Sequence, residues 1–203
     1  MIQAIRDGLS IGTARLKRAR FLRIKTVRRF AKGEDGVAAV EFGMVAAPFL
    51  ALMFAIMETS LVFFAGQTLE TAVADSARMI MTGQAQSQGL TQDTFKAEVC
   101  NRIAGLFDCA GGMQIDVKAY AAGSTFADVS TAKPINAADK TLQTSTFGYQ
   151  PGTACNIVVV RLMYQWPVYM SLLGFNLADL AGNKRLLMAT AAFRNEPFGS
   201  SSC

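Results

Sequence analysis

The side chains that could do chemistry in this sequence are carboxylates and thiols, because the sequence contains no histidine. This excludes Ser-His-Asp and Cys-His nucleophile systems and histidine-ligated zinc, and leaves only rarer schemes such as paired carboxylates or Ser-Lys. No carboxylate pair, glycine-rich phosphate loop or nucleophile elbow stands out in the sequence. We therefore predict a protein that is not an enzyme, with no cofactor and no metal site.

One carboxylate stands in an unusual place, near the start of a long apolar run. Glu41 is the fifth residue after Gly36 and is followed by the aromatic Phe42. A charge inside the hydrocarbon of a membrane costs on the order of 3 kcal/mol or more. Either Glu41 has a role that justifies this position, or it is an incidental carboxylate at the membrane interface.

The apolar run itself predicts a transmembrane helix over residues 37–65. Sixteen uncharged residues separate Glu41 from Glu58, and apolar residues continue from Leu61 to Ala65. A helix needs about 20 predominantly apolar residues to cross the hydrocarbon. A buried core helix of a soluble protein and a cleaved secretory signal peptide, whose apolar region is only about 7 to 15 residues, are the alternatives.

A basic leader, residues 1–36, precedes the run. It carries ten of the twenty Lys and Arg residues and three acidic residues, a net charge of +7, and the rest of the chain has a net charge of −2. The positive-inside bias places this end in the cytoplasm and everything after about residue 66 outside it. We expect the leader to contact membrane lipid rather than nucleic acid, with RNA binding as the less favoured alternative.

The residues after the run predict an amphipathic helix followed by a domain. Residues 66–83 carry apolar side chains at i, i+3 and i+4 spacing, and Gly83 is a candidate C-cap. Residues 84–203 would form one outer domain. Thr91 is the candidate N-cap of its first helix, which we expect to extend to about residue 107.

Strand patterns follow in the same domain. Residues 113–120 alternate as a half-buried strand, and residues 121–154 read as a long loop. Residues 156–170 predict a long strand that Pro167 bends or places on an edge, residues 171–182 a short helix, and residues 185–197 a last strand. The predicted fold class is α+β: a long N-terminal transmembrane helix continues into an amphipathic helix and packs on a small antiparallel sheet, like a lollipop.

Four cysteines lie in this outer domain, where an oxidising compartment would permit disulfides. They are Cys100, Cys109, Cys155 and Cys203, which allow three pairings. We favour Cys100 with Cys109, because that bridge holds the end of their own helix. We favour Cys155 with Cys203, because that bridge ties the carboxy terminus to the long strand. A metal site is the weaker alternative, since no pair has CxxC spacing.

The residues around Glu41 resemble the processing site of type IV prepilins. Gly36 is followed by "VAAVEF", which places Glu41 and Phe42 at the fifth and sixth positions. The longer stretch "GVAAVEFGMVAAPFLALMFAIMETS", with "ADSAR" downstream, is similar to the TadE-like family of pilus assembly proteins, minor pseudopilins of the tight-adherence (Tad) system. The similarity covers about 45 residues, from Asp35 to Arg78, and "FRNEPF" near the carboxy terminus is also typical of the family.

The resemblance implies a processing step and an assembly role. An inner-membrane prepilin peptidase would cut between Gly36 and Val37, and Glu41, with Phe42, would then set the register of neighbouring helices by pairing with a neighbour's new amine. Glu58 lies near the outer membrane face, where it either contacts a partner helix or is a plain interfacial carboxylate.

The resemblance also implies a pilin-like fold, a periplasmic outer domain, and partners among other Tad pilins or pseudopilins and the inner-membrane assembly platform. The resemblance implies that the protein is a structural component for assembly of Tad pili. It would be incorporated into the pilus or act in its assembly, and cell adhesion would be the consequence. The alternative is an uncleaved single-pass membrane protein whose periplasmic domain binds a ligand or a partner.

Overall fold

A computed structural model of the 203-residue chain describes residues 36–103, 105–109, 111–129, 133–169, 176–199 and 203. The predicted basic leader before Gly36 therefore lies outside the described residues. The chain divides into two compact units, Met1–Met53 and Phe54–Cys203. The first unit contributes the start of one long helix to the described residues, and the second contains a helix-and-sheet domain.

Helix α1 (Val37–Met81) is 45 residues long and continues through Pro48. The predicted transmembrane segment and its amphipathic extension are thus parts of one helix. Gly83 stops it, as predicted, because its φ of +78° is left-handed and its N–H donates to the carbonyl of Ile80. A Cβ at Gly83 would also lie only 2.7 Å from the ring of Phe198, so no larger residue fits there.

One face of α1 packs onto the rest of the unit Phe54–Cys203. The buried residues follow the helical period and begin at Glu58; they are Glu58, Val62, Ala65, Leu69, Ala72, Val73, Ser76, Ala77 and Ile80. The amphipathic pattern predicted after residue 66 is correct. Packing starts about two turns earlier than that boundary, because Glu58 and Val62 lie on the same stripe.

Three strands form an antiparallel sheet in the order β1-β2-β3: β1 is Met113–Tyr120, β2 is Ile157–Pro167 and β3 is Lys184–Arg194. β2 is therefore the central strand, and the prediction that Pro167 would place its strand on an edge is wrong. Pro167 is the last residue of β2, where its missing N–H ends the ladder without interrupting it.

Two short helices connect α1 to the sheet: α2 (Gln84–Ser87) and α3 (Gln92–Arg102). Thr91 caps α3 as predicted and forms a capping box with Thr94, but the helix ends at Arg102 rather than near residue 107. Residues 176–183 are extended or in a turn, so no helix forms in that part of the predicted 171–182 helix. Residues 171–175 lie outside the described residues.

The hydrophobic core lies between the helices and one face of the sheet. It contains Leu69 and Ile80 of α1, Phe95 and Val99 of α3, and alternate residues of all three strands: Met113, Ile115, Val117, Val158, Val160, Leu162, Tyr164, Leu187 and Ala189. A long apolar helix and a three-stranded antiparallel sheet are the elements of the predicted α+β class.

The long segment after β1 contains a short 3-10 helix (Phe126–Asp128) and then returns to the sheet. The N–H of Val117 donates to the carbonyl of Gly148 at 2.8 Å, and the N–H of Gln150 donates to the carbonyl of Val117 at 2.9 Å. This parallel bridge satisfies backbone groups on the outer side of β1, so the returning segment covers part of an otherwise open edge.

Candidate processing, assembly and membrane site

The predicted processing residues lie at the first turns of α1. Gly36 precedes the α-helix and is half-buried, and Val37 is the first residue of the helix. Val37, Glu41 and Phe42 are exposed. The structure thus presents all four residues at one helix end. Cleavage between Gly36 and Val37, and a register role for Glu41 and Phe42, stay predictions.

The first part of α1 exposes apolar side chains on all sides. The most apolar stretch of the helix has a mean hydropathy of 2.0 over 18 residues, and none of it is buried in the molecule. Within the described residues this is the one helix long and apolar enough to cross a membrane. Its exposure argues against the alternative of a buried core helix and indicates a single-pass membrane protein. A signal sequence meets the same criteria of length and composition.

The unpacked part of α1 has the length of a membrane span. Residues 37–57 precede the first buried position, and about 21 residues at 1.5 Å per residue give roughly 30 Å. The hydrocarbon of a bilayer is also about 30 Å thick. The packed stripe that starts at Glu58 therefore begins where a membrane span would end.

Glu58 is buried, with 7% of its surface exposed, and its carboxylate points into its own chain. Oε1 accepts a 2.6 Å hydrogen bond from the backbone N–H of Tyr169, two residues after β2 ends. Val168 is buried beside it and donates its N–H to the carbonyl of Asn183. Glu58 therefore joins α1 to the end of the central strand by a charge-assisted hydrogen bond. Its predicted contact with a partner helix stays a prediction.

Two hydroxyl residues beside Glu58 are satisfied within the helix. Thr59 donates to the carbonyl of Ala55 and Ser60 donates to the carbonyl of Ile56, both at 2.8 Å. Such bonds to the preceding turn remove the need for a water partner. Thr68 and Thr71 make the same bond further along α1, so the pattern is a property of the whole helix.

The four cysteines form two disulfides in the structure, Cys100 with Cys109 and Cys155 with Cys203. These are the pairings that the sequence favoured among three. The first closes the segment after α3. The second ties residue 203 to the turn before β2, where the N–H of Cys155 donates to the carbonyl of Asn195. No cluster of potential metal ligands occurs in the part of the chain that the structure describes.

An aromatic cluster anchors the disulfide-closed segment to the sheet. The rings of Phe107 and Tyr164 are 4.8 Å apart, and Trp166 lies 6.0 Å from Phe107. The Tyr164 hydroxyl accepts the N–H of Asp108, and a Cβ at Gly112 would lie 2.5 Å from the Tyr164 ring. Tyr164 and Trp166 are therefore packing residues.

Sequence reasoning missed a buried ion pair on the other face of the sheet. Asp116 of β1 and Arg161 of β2 are register partners, and Asp116 is fully buried. The signal was present, because each is a charge in the middle of an apolar strand. Only the strand register shows that the two charges face each other.

An open groove of about 340 Å³ lies between residues 59–70 of α1 and residues 185–188 of β3. Phe63, Leu177 and Met188 give it an apolar lining, and Glu70 and Arg185 are its charged residues. It contains no acid and base pair arranged as a catalytic site would be. Binding of an apolar segment is the chemistry that this groove offers.

The described residues define a class of protein. It has one candidate membrane helix, and the part of this helix from Glu58 onward packs on a disulfide-bonded α+β domain. Residues 36–78 match the family model of TadE-like proteins, which confirms the predicted resemblance over that segment. The match indicates a Tad pilus-related protein. No curated protein and no solved structure matches the chain.

Proposed function

We propose that this protein is a minor pseudopilin-type structural component for assembly of Tad pili, processed by a prepilin peptidase after Gly36. One observation carries the proposal: the TadE-like match begins at Gly36, and helix α1 begins at the next residue, Val37. A cut at this bond would place a new amine on the first residue of the helix.

The positions of Val37 and Glu41 suit the assembly chemistry. The two residues are one turn apart on α1, so the new amine and the carboxylate would lie on the same side of the helix. Both are exposed, and neither is committed to a packed partner in the described unit. Pairing with the complementary group of a neighbouring chain would neutralise two charges in a surrounding of low dielectric and fix the axial register of the helices.

The proposed topology follows from charge and cysteine chemistry. The basic leader would stay in the cytoplasm, residues 37–57 would cross the inner membrane, and the disulfide-bonded domain would lie in the oxidising periplasm. The partners of the helix would be other Tad pilins or pseudopilins and the inner-membrane assembly platform.

A second candidate function is an uncleaved single-pass protein whose periplasmic domain binds a ligand or partner. The open groove beside α1 favours it, because apolar lining and two charges of opposite sign could hold an amphipathic segment.

Processing separates the two candidates. The full chain would be expressed in membranes with and without a prepilin peptidase, and its mass and amino-terminal sequence measured. We expect a mature chain that starts at Val37 only when the peptidase is present. Gly36→Val should block the cut, whereas Gly43→Val, at an exposed position on the same helix with no atom within 4 Å of the added Cβ, should not. A full-length chain in the presence of peptidase, with unchanged pili in a deletion strain, would favour the second candidate.

A further inference from the structure

The backbone of Tyr169 is hydrogen-bonded to Glu58, whereas its side chain is exposed. The ring is 79% exposed, more than any other large apolar side chain that the structure describes. Its N–H is bonded to buried Glu58, and the neighbouring Val168 is buried. A side chain that projects from such a fixed backbone is available for a contact outside the chain.

The hydrogen bond to Glu58 fixes the position of Tyr169 along the axis of α1. Glu58 lies about 21 residues beyond Gly36, which at 1.5 Å per residue is the end of a span of roughly 30 Å. Tyr169 is therefore at the level where the hydrocarbon gives way to headgroups. Tyrosine is enriched at this level in membrane proteins, because its ring is apolar and its hydroxyl is polar.

Other exposed apolar residues of α1 continue the same surface. Leu61, Phe63 and Phe64 stay exposed within two turns after Glu58. They extend the apolar surface of the span past Glu58, toward the level of the headgroups. Exposed apolar side chains of α1 are therefore present at the level of Glu58, the residue to which Tyr169 is bonded.

We propose that Tyr169 is a second membrane contact of this protein, inserted among the headgroups of the outer leaflet and positioned by Glu58. The occupant of this surface is lipid. The contact holds the end of β2 against the bilayer and so limits how far the outer domain, together with the packed part of α1, can tilt relative to the membrane. The inference rests on the proposed transmembrane helix.

Three single-tryptophan variants test it by fluorescence quenching. The full chain with Trp166→Phe would carry Phe49→Trp, Tyr169→Trp or Phe126→Trp, in vesicles of phosphatidylcholine and phosphatidylglycerol without bromine or with bromine at several depths along the acyl chains, from near the headgroup to near the chain end. Phe49 is in the span. Phe126 is 57% exposed and lies six residues after Tyr120, whose register partner Ile157 is at the opposite end of β2 from Pro167.

We expect bromine to lower the fluorescence at residues 49 and 169 at least twofold and to leave residue 126 unchanged. An unquenched residue 169 beside a quenched residue 49 would overturn the membrane contact and leave the span intact. An unquenched residue 49 would overturn the span, and with it this inference. Quenching at residue 169 that is absent at a high protein-to-lipid ratio and appears only after a tenfold dilution in lipid would show that a second copy of the chain covers this surface, and the inference would be wrong.

A second measurement uses the unaltered protein, because Trp166 packs in the aromatic cluster. A water-soluble iodinating reagent would be added on the side of the vesicle that carries the outer domain, and the labelled tyrosines would be identified by peptide mass spectrometry. We expect Tyr169 to be labelled at least threefold less than half-buried Tyr120, despite its greater exposure in the chain. Preferential labelling of Tyr169 would overturn the proposal.

Discussion

Asp116 of β1 and Arg161 of β2 face each other across the sheet, with 3.0 Å between Oδ2 and Nη2. Their side chains are 1% and 11% exposed. The second carboxylate oxygen of Asp116 accepts the N–H of Gly148, in the segment that covers the edge of β1. One buried carboxylate therefore connects two strands and the returning segment.

Removal of the Arg161 side-chain charge should destabilise the folded protein. We expect Arg161→Met to lower the free energy of unfolding by about 3 to 5 kcal/mol, because it leaves the Asp116 carboxylate buried without its compensating charge. Urea unfolding of the detergent-solubilised protein, followed by near-UV circular dichroism, measures this. Lys118→Met is the matched control: its Nζ is 3.9 Å from Asp116 and it is more exposed, so the loss should stay below about 1 kcal/mol. Equal losses would contradict the assigned roles.

The two disulfides should differ in their contribution to stability. Cys155 and Cys203 are 48 residues apart and Cys100 and Cys109 are 9 apart, so the first bridge restricts the unfolded chain more. We expect a loss of about 4 kcal/mol for the double serine variant of the long bridge and about 3 kcal/mol for that of the short one. Denaturant unfolding of the two variants gives the comparison. Labelling of all four thiols in the unreduced, denatured protein would contradict both bridges.

A substitution at Glu41 should affect assembly of pili but not processing after Gly36. We expect Glu41→Ala to be cut after Gly36 as the unaltered protein is, but to lose pilus formation at least tenfold, because no carboxylate remains to pair with a neighbour's amine. Glu70→Ala is the control, since Glu70 is exposed on the same helix outside the proposed span. Pili would be counted by electron microscopy in a deletion strain that carries each variant. Normal pilus numbers with Glu41→Ala would remove the register role.

Tyr149 should make the protein sensitive to alkaline pH. Burial raises the pKa of Tyr149 to about 12 from its usual 10. The unfolded state therefore loses this proton before the folded state does, and the free energy of unfolding falls as pH rises from about 10 to 12. Below pH 10 both states keep the proton, so the contribution is constant there.

Tyr149→Phe isolates this effect. The Tyr149 hydroxyl is buried with no hydrogen-bond partner among the described residues, and its ring packs 5.3 Å from Phe95. We expect the variant to be as stable as the unaltered protein at pH 8 or slightly more so, and to lose less stability between pH 8 and 11. Urea unfolding at the two pH values measures the difference. An identical pH dependence would show that another group causes the alkaline loss.

Local sequence was sufficient for most of the elements. The apolar run, the stripe from Leu69 to Ile80, the cap at Thr91 and the alternation in β1 depend on side chains a few residues apart, and the chain forms them as predicted. The stretch from Gly36 to Ser60, with "ADSAR" downstream, was enough to predict the TadE-like resemblance, which the family match confirms.

The sequence by itself determined which stretch is long and apolar enough to span a membrane and which face of each element is apolar, because both properties depend on side chains close together in the chain. Only the tertiary structure decided that β2 is central, that Asp116 meets Arg161 and that Glu58 holds Tyr169. The contact of Asp116 with Arg161 joins residues 45 positions apart, and that of Glu58 with Tyr169 joins residues 111 positions apart. They depend on strand order and register, which are set by packing of the whole domain and leave no periodic signal in the sequence.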